Sequence, residues 1–241
     1  MPFTRLGFFR IGGRSTAIKM ADGGVWVLAS TPLDEETKKT IDNLGPVKWI
    51  IGADDVHHLF LGEFQKAYPD AKLVAVEGSV KKHPELKWHG YWTDEKREQE
   101  FGFDTEFKSC YFPGFRNKDV VFVHVPSKTL ITADLLFNLP CIEQYTYSWF
   151  PSGVPFLNWF LPTMSPESPA HQKFLLQAAK KGGYERANVL WELRAMKRDA
   201  KTVADWDFDR IIMCHGEVIE TGGNKAWRSA YRLILEDGKS K

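Results

Sequence analysis

Three short apolar runs, far apart in the chain, each lead into a polar residue of metal-binding type, and this recurrence constrains the fold more than any other feature. The first is Val47–Ile51, closed by Gly52 and followed by Ala53-Asp54-Asp55-Val56-His57-His58. The second is Thr129–Thr132, followed by Ala133-Asp134, and the third is Arg210–Met213, followed by Cys214-His215-Gly216-Glu217. Runs of this length and composition read as buried strands. Strand ends at one edge of a sheet converge in space, and open sites form there. An acid such as Asp134 at the end of a buried strand is costly unless it is paired or bound to a cation. Three histidines and one carboxylate fit Zn²⁺, or Fe²⁺ or Mn²⁺ where further positions are open. A plainer reading makes Asp54 or Asp55 a helix N-cap, with His57 and His58 as first-turn polar residues. Asp134 would then be a cap or an ion-pair partner. The common position of all three groups favours the metal.

Between these runs the chain alternates strands and helices. Thr16–Lys19 and Val25–Ala29 flank Ala21-Asp22-Gly23-Gly24, a hairpin signal. Leu33–Leu44 has helical spacing, with acids early and lysines later, and Gly45-Pro46 stops it. His57 opens a segment in which Leu61, Phe64 and Tyr68 share a helical face. Lys72–Val76 is a strand, and residues 77–105 read as polar surface connections with short elements. His83 and His89 in that stretch read as solvated or packing residues. Glu106–Phe112 and Asp119–Val125 are strands, with His124 packed inside the second. Residues 171–204 are helical past a Gly182-Gly183 break, and Ala226–Leu235 closes the chain as a helix. With no repeat, linker or low-complexity tract, the 241 residues read as one α/β domain, 1–241.

Composition excludes several functions. A formal net charge of +1 gives no basic face for nucleic acid. No apolar run is long enough to span a bilayer, and MPFTRLGFFRIGG lacks the apolar core of a signal peptide. Three widely spaced cysteines, Cys110, Cys141 and Cys214, suggest a reducing, cytoplasmic setting. Nine Trp and seventeen Phe imply either a broad aromatic core or an apolar pocket. Residues 139–170 are the most aromatic stretch, and their prolines forbid one long helix. We expect this insertion to cover the site, with Trp149, Phe156 and Trp159 as the apolar wall of a small-molecule pocket. A homodimer patch and a membrane-surface patch are the competing readings.

The order of strand, histidine-rich turn and helix, then strand–Asp, then strand–His-Gly, resembles the metallo-β-lactamase-fold hydrolases. More closely, TLITADLLFN, VHHLFLGEF and WDFDRIIMCHGEVIETGG resemble the DUF4336-like branch of that superfamily. The resemblance implies a four-layer αββα sandwich. It also exposes an altered motif. The superfamily's H-x-H-x-D-H falls on Ala53, Asp54, Asp55, Val56, His57 and His58, so only the last histidine is kept. The Pro-Gly-His turn is here Pro113-Gly114-Phe115, which offers no ligand, whereas Asp134 and His215 are kept. The positions of one of the family's two metals are therefore depleted. Those of the other fall on His57, His58, Asp134 and His215, all capable ligands. The resemblance implies a mononuclear, metal-dependent hydrolase holding one divalent ion, Zn first and Fe or Mn as alternatives. A metal-activated water would attack a small, partly apolar ester, lactone or thioester, with Asp55 as general base. The alternatives are a non-hydrolytic metal enzyme (decarboxylase, isomerase or oxidoreductase) and an inactive member of the fold.

Overall fold

Period-two alternation along each strand decides which side chain faces which layer. In the computed structural model, which describes residues 1–5, 9–146, 164–180 and 186–236, that alternation builds two sheets. Strands β1 (Thr4–Arg5) and β2 (Phe9–Arg10) form a small antiparallel ribbon. Strands β3 (Thr16–Lys19), β4 (Val25–Leu28), β5 (Val47–Gly52), β6 (Lys72–Val76) and β7 (Trp88–Trp92) lie side by side in that order. The second sheet runs β11 (Arg210–Met213), β10 (Thr129–Thr132), β9 (Val120–His124), β8 (Phe107–Tyr111). The helices are α1 (Glu35–Leu44), α2 (Leu61–Ala67), α3 (Glu77–Lys82), α4 (Pro169–Lys180), α5 (Arg186–Ala204), α6 (Gly223–Ala230) and α7 (Arg232–Leu235).

Three apolar layers follow from the alternation. Trp26, Leu28, Trp49, Ile51 and Val74 from the first sheet meet Val120, Phe122 and Ile131 from the second. Their neighbours Val25, Val27, Ile50 and Leu73 point the other way, onto Ile41 of α1 and Leu61 and Phe64 of α2. Behind the second sheet, Val121, Val123, Leu130 and Ile211 pack on Leu175 of α4, Met196 of α5, Trp227 of α6 and Ile234 of α7. The result is the αββα order of layers expected from the sequence.

One break in the alternation keeps β5 in phase. Val25 pairs with Val47 but Trp26 pairs with Trp49, so Lys48 is an extra residue on β5. This bulge lets the exposed Lys48 reach Asp22 at 2.7 Å while Trp49 turns into the space between the sheets. Without it Trp49 would sit on the helix side.

Part of the aromatic content lies in this layer. Trp26 stacks on Phe107 with centroids 4.7 Å apart and meets Phe122 edge-on at 5.1 Å. Trp49 packs against Phe103 at 5.1 Å, and Trp92 against Phe101 at 4.8 Å. A broad aromatic core was one of the two readings the composition allowed. The other, the pocket wall of Trp149, Phe156 and Trp159, lies outside the described residues, as do the dimer-patch and membrane-patch readings of that stretch. Among the described residues no helix is long and apolar enough to cross a membrane.

Three stretches differ in detail from the sequence reading. The short elements expected within residues 77–105 are α3 and the edge strand β7, which the sequence does not place because WHGYW is exposed at alternate positions and only Trp92 is fully buried. The helix expected from His57 starts at Leu61, because residues 57–60 are held in a turn. The closing helix is interrupted at Tyr231, where α6 ends and α7 begins.

Candidate metal centre

The C-terminal ends of β5, β10 and β11 meet at one edge of the sandwich. Strands β10 and β11 run parallel, with Thr132 opposite Met213, and the Cys214 N–H continues the ladder to the Thr132 carbonyl at 3.0 Å. The loop after β5 is stitched to the second sheet where the Val120 N–H donates to the Ala53 carbonyl at 2.8 Å. Asp134 and His215 therefore leave adjacent strands, and His57 approaches from the other sheet.

Their ligand atoms converge. His57 Nε2 lies 3.2 Å from His215 Nε2, and His215 Nε2 lies 3.2 Å from Asp134 Oδ1. Ligand atoms of the three residues fall within 4.8 Å of one another. His215 and Asp134 are 4% and 3% exposed, and the His57 side chain 10%.

Each ligand candidate has a dedicated holder. His57 Nδ1 is 2.9 and 3.0 Å from the two oxygens of Asp54, a fully buried carboxylate. Asp54 Oδ1 also accepts the Val56 and His57 N–H groups at 2.8 and 2.7 Å, which fixes the turn ahead of α2. His215 Nδ1 donates to the Gly12 carbonyl at 2.6 Å. Asp134 Oδ2 accepts the Asn117 amide at 2.5 Å, and the Asp134 and Leu135 N–H groups donate to Asp119 Oδ2 at 2.8 and 3.1 Å.

The tautomers follow from these partners. A carbonyl and an ionised carboxylate only accept, so both Nδ1 atoms carry the hydrogen. Both Nε2 atoms are then lone pairs, facing each other and a carboxylate oxygen. Three acceptors this close need a cation among them, either a proton or a metal ion. The donor set of two imidazoles and one carboxylate fits a divalent ion. Without a metal ion, that cation is a proton on His57. Burial works against a charged His57, yet Asp54 and Asp134 outweigh it and raise its pKa to about 10. Asp119, fully buried, is pushed well above the carboxylate range by burial and then by Asp54 and Asp134. Its Oδ1 is buried with no hydrogen-bond partner.

A further clamp surrounds His215. The Gln144 side chain donates to the Cys214 carbonyl at 2.8 Å and accepts the Gly216 N–H at 2.9 Å, pairing with the backbone on both sides of the histidine. Arg14 Nη1 donates to the Met213 and Gly216 carbonyls at 2.7 and 2.8 Å, and its Nη2 meets Glu143 at 2.6 Å. Gly12, at φ +67°, has no room for a side chain: a Cβ would lie 1.9 Å from Gln144 Oε1. Phe137 stacks on the His215 ring at 5.2 Å, and the half-exposed Phe3 faces it at 6.2 Å.

Of the four expected ligands, the structure brings His57, Asp134 and His215 together. His58 points elsewhere, its Nδ1 2.8 Å from His83 Nε2, and His83 Nδ1 continues to Glu85 at 3.0 Å. Asp55, expected as the base, is tied by its N–H to the Asn117 carbonyl at 2.9 Å, and its carboxylate lies against Gly78, where a Cβ would be 1.9 Å from Oδ1. Phe115, in the turn without a ligand, is buried in the helix-side core. The sequence reading gave Asp54 only a capping role and passed over Asn117, Asp119, Arg14 and Gln144. Asp54 carried a signal, its three-residue spacing from His57. Gly12 and Gln144 carried none, because they meet His215 only in the folded chain.

Beside the centre, His171 is fully buried and its Nε2 accepts the Phe137 N–H at 3.3 Å. Burial lowers its pKa from 6.5 to about 4. The folded state thus favours the neutral ring, so this contribution is complete above pH 6.5 and is lost as pH falls toward 4. About 2–3 kcal/mol should disappear over that window. Denaturant unfolding at pH 7 and pH 4.5 should show this loss in the wild type and a smaller one in His171→Gln. Equal losses would place the acid sensitivity elsewhere.

No family model matches the chain, and no curated protein matches it. Solved structures do. A metallo-β-lactamase from Hirschia baltica shares 9% identity over 97% of this chain and 91% of its own, with a TM-score of 0.57. The metallo-β-lactamase FIM-1 from Pseudomonas aeruginosa, in its mono-zinc form, shares 9% over 99% and 90%, with a TM-score of 0.53. A variant of the flavo-di-iron protein from Thermotoga maritima shares 12% over 93% of this chain and 54% of its own, with a TM-score of 0.58. At such identities the likeness is one of fold: the chain has the metallo-β-lactamase fold.

Proposed function

We propose that the chain is a metal-dependent hydrolase whose single divalent ion is held by His57, Asp134 and His215. The observation that carries this reading is the convergence of two imidazole lone pairs and a carboxylate oxygen at the shared strand edge. A divalent ion there, Zn²⁺ first, supplies a water nucleophile near neutral pH and stabilises developing negative charge. The chain's own residues set up that chemistry. Asp54 and the Gly12 carbonyl each engage an Nδ1, which turns both Nε2 atoms toward the shared point, and Phe137 and Phe3 present apolar ring faces beside His215. Those faces favour a small, partly apolar ester, lactone or thioester. The general-base role expected of Asp55 belongs to the same proposal. Asp55→Asn should keep the metal and lose turnover, measured on a panel of such substrates with the metal-loaded protein. Hydrolysis of the panel at equal rates by wild type and His215→Ala would sink the reading.

A second reading rests on the donor set itself. Two histidines and one carboxylate with open positions also suit non-haem Fe(II). Iron as the retained metal, with no hydrolysis of the panel, would favour a non-hydrolytic enzyme. Placement in the DUF4336-like branch is a proposal resting on the three quoted stretches, and a cytoplasmic setting is one resting on the free Cys110, Cys141 and Cys214.

Two substitutions separate holders from bystanders. Asp54→Ala should weaken metal affinity by about 10–100-fold, the usual cost of removing a histidine's outer partner. His58→Ala should leave metal content unchanged, since its ring is engaged with His83. Chelator-competition titration measures both, and loss of metal from His58→Ala would restore it to the ligand set.

A further inference from the structure

Asp134 has two carboxylate oxygens with different surroundings. Oδ1 faces His215 Nε2 at 3.2 Å, and Oδ2 accepts the Asn117 side-chain amide at 2.5 Å. Asn117 also ties the opposite loop, its carbonyl accepting the Asp55 N–H at 2.9 Å. The backbone goes out of its way to place this residue. The next residue, Lys118, adopts φ +53°, a left-handed conformation that a lysine rarely takes. The Lys118 N–H closes the turn onto the Phe115 carbonyl at 2.9 Å, and Asp119 then takes the Asp134 and Leu135 N–H groups. The short stretch from Asn117 to Asp119 therefore grips Asp134 at its side chain and at its backbone.

An amide N–H on a carboxylate oxygen does two things. It fixes the carboxylate plane, and it occupies one of the two lone-pair directions of that oxygen, narrowing the approach left to a second cation. A neutral amide brings no charge of its own, so the centre keeps its attraction for one divalent ion while its outer oxygen is partly occupied. We infer that Asn117 is a positioning residue that holds Asp134 as a one-oxygen ligand and disfavours a second metal ion at its other oxygen. This rests on the proposed metal centre and adds, to the ligands lost at Ala53 and Phe115, a residue that disfavours a second ion.

The test uses Zn²⁺ and Mn²⁺ as probes on the full chain, stripped of metal and then titrated. Asn117→Ala removes the grip. It should bind one ion about 10–100-fold more weakly than wild type, with the unfolding midpoint of the metal-free protein little changed. Asn117→Asp places a second carboxylate against Asp134 Oδ2, and the two acids together attract a cation. It should take up a second equivalent of either metal, and its Mn²⁺ form should give the exchange-coupled magnetic resonance signal of a pair. Affinity unchanged in Asn117→Ala overturns the inference, as does a stoichiometry still at one in folded Asn117→Asp. Complete loss of metal in Asn117→Ala also overturns it, because the amide would then be a ligand. If Asn117→Asp does not fold, Asn117→Ala decides alone. A wild type that binds no metal fails the proposed function instead, which keeps the two failures distinct.

Discussion

Protein purified without chelator should carry close to one equivalent of divalent metal, and His215→Ala should carry almost none. Elemental analysis checks both. The expectation is strong because His215 touches both other members of the set, its Nε2 standing 3.2 Å from His57 Nε2 and 3.2 Å from Asp134 Oδ1. Removing it leaves one imidazole and one carboxylate, too few to hold an ion against water. Metal retention should also register as stability. An ion present at a thousand times its dissociation constant stabilises the folded state by about 4 kcal/mol. For a chain of this size each kcal/mol moves the melting temperature by about 2–4 °C. Chelation should therefore lower the wild-type melting temperature by about 10 °C and barely move His215→Ala. Close to two equivalents in the wild type would refute the mononuclear reading, and a metal-replete His215→Ala would refute the ligand set.

The second large effect lies in the space between the sheets. Trp26→Ala should destabilise the protein by about 3–5 kcal/mol, a large share of the 5–15 kcal/mol typical of a domain. Trp26 is fully buried and touches Phe103, Phe107 and Phe122, so deleting its ring opens a cavity that neither rigid sheet can close. Trp26→Phe is the informative partner. The buried indole N–H has no hydrogen-bond partner, so its removal relieves an unsatisfied donor while most of the ring contact remains. Its cost should be under half that of the alanine. Denaturant unfolding measures both, and equal costs would mean that the N–H, not the ring, sets the energetics.

These effects show where the sequence is readable and where it falls silent. Strands β4, β5, β9 and β10 are legible because they are buried, β-branched and bounded by turn residues. The edge strand β7 is not, since exposure frees half its positions from apolar pressure. At the site, Asp134 and His215 stand out as polar residues ending apolar runs. The choice between His57 and His58 turns on Asp54, whose carboxylate takes the His57 backbone and ring together and leaves the next residue to face His83. Adjacent residues of one type cannot be ranked by pattern alone. The Gln144 clamp is silent for a different reason: a polar side chain that pairs with backbone leaves no periodic trace.

The hydrogen bond from His215 to Gly12 joins residues 203 positions apart. Strands β10 and β11, which carry Asp134 and His215, pair in parallel across the whole α4–α5 excursion. Such closures are made late, after the costly ordering of the intervening chain. On the proposed function, an ion would be captured only after these closures are made. A nascent or refolding chain in zinc-poor medium should reach the same final architecture and wait for its ion.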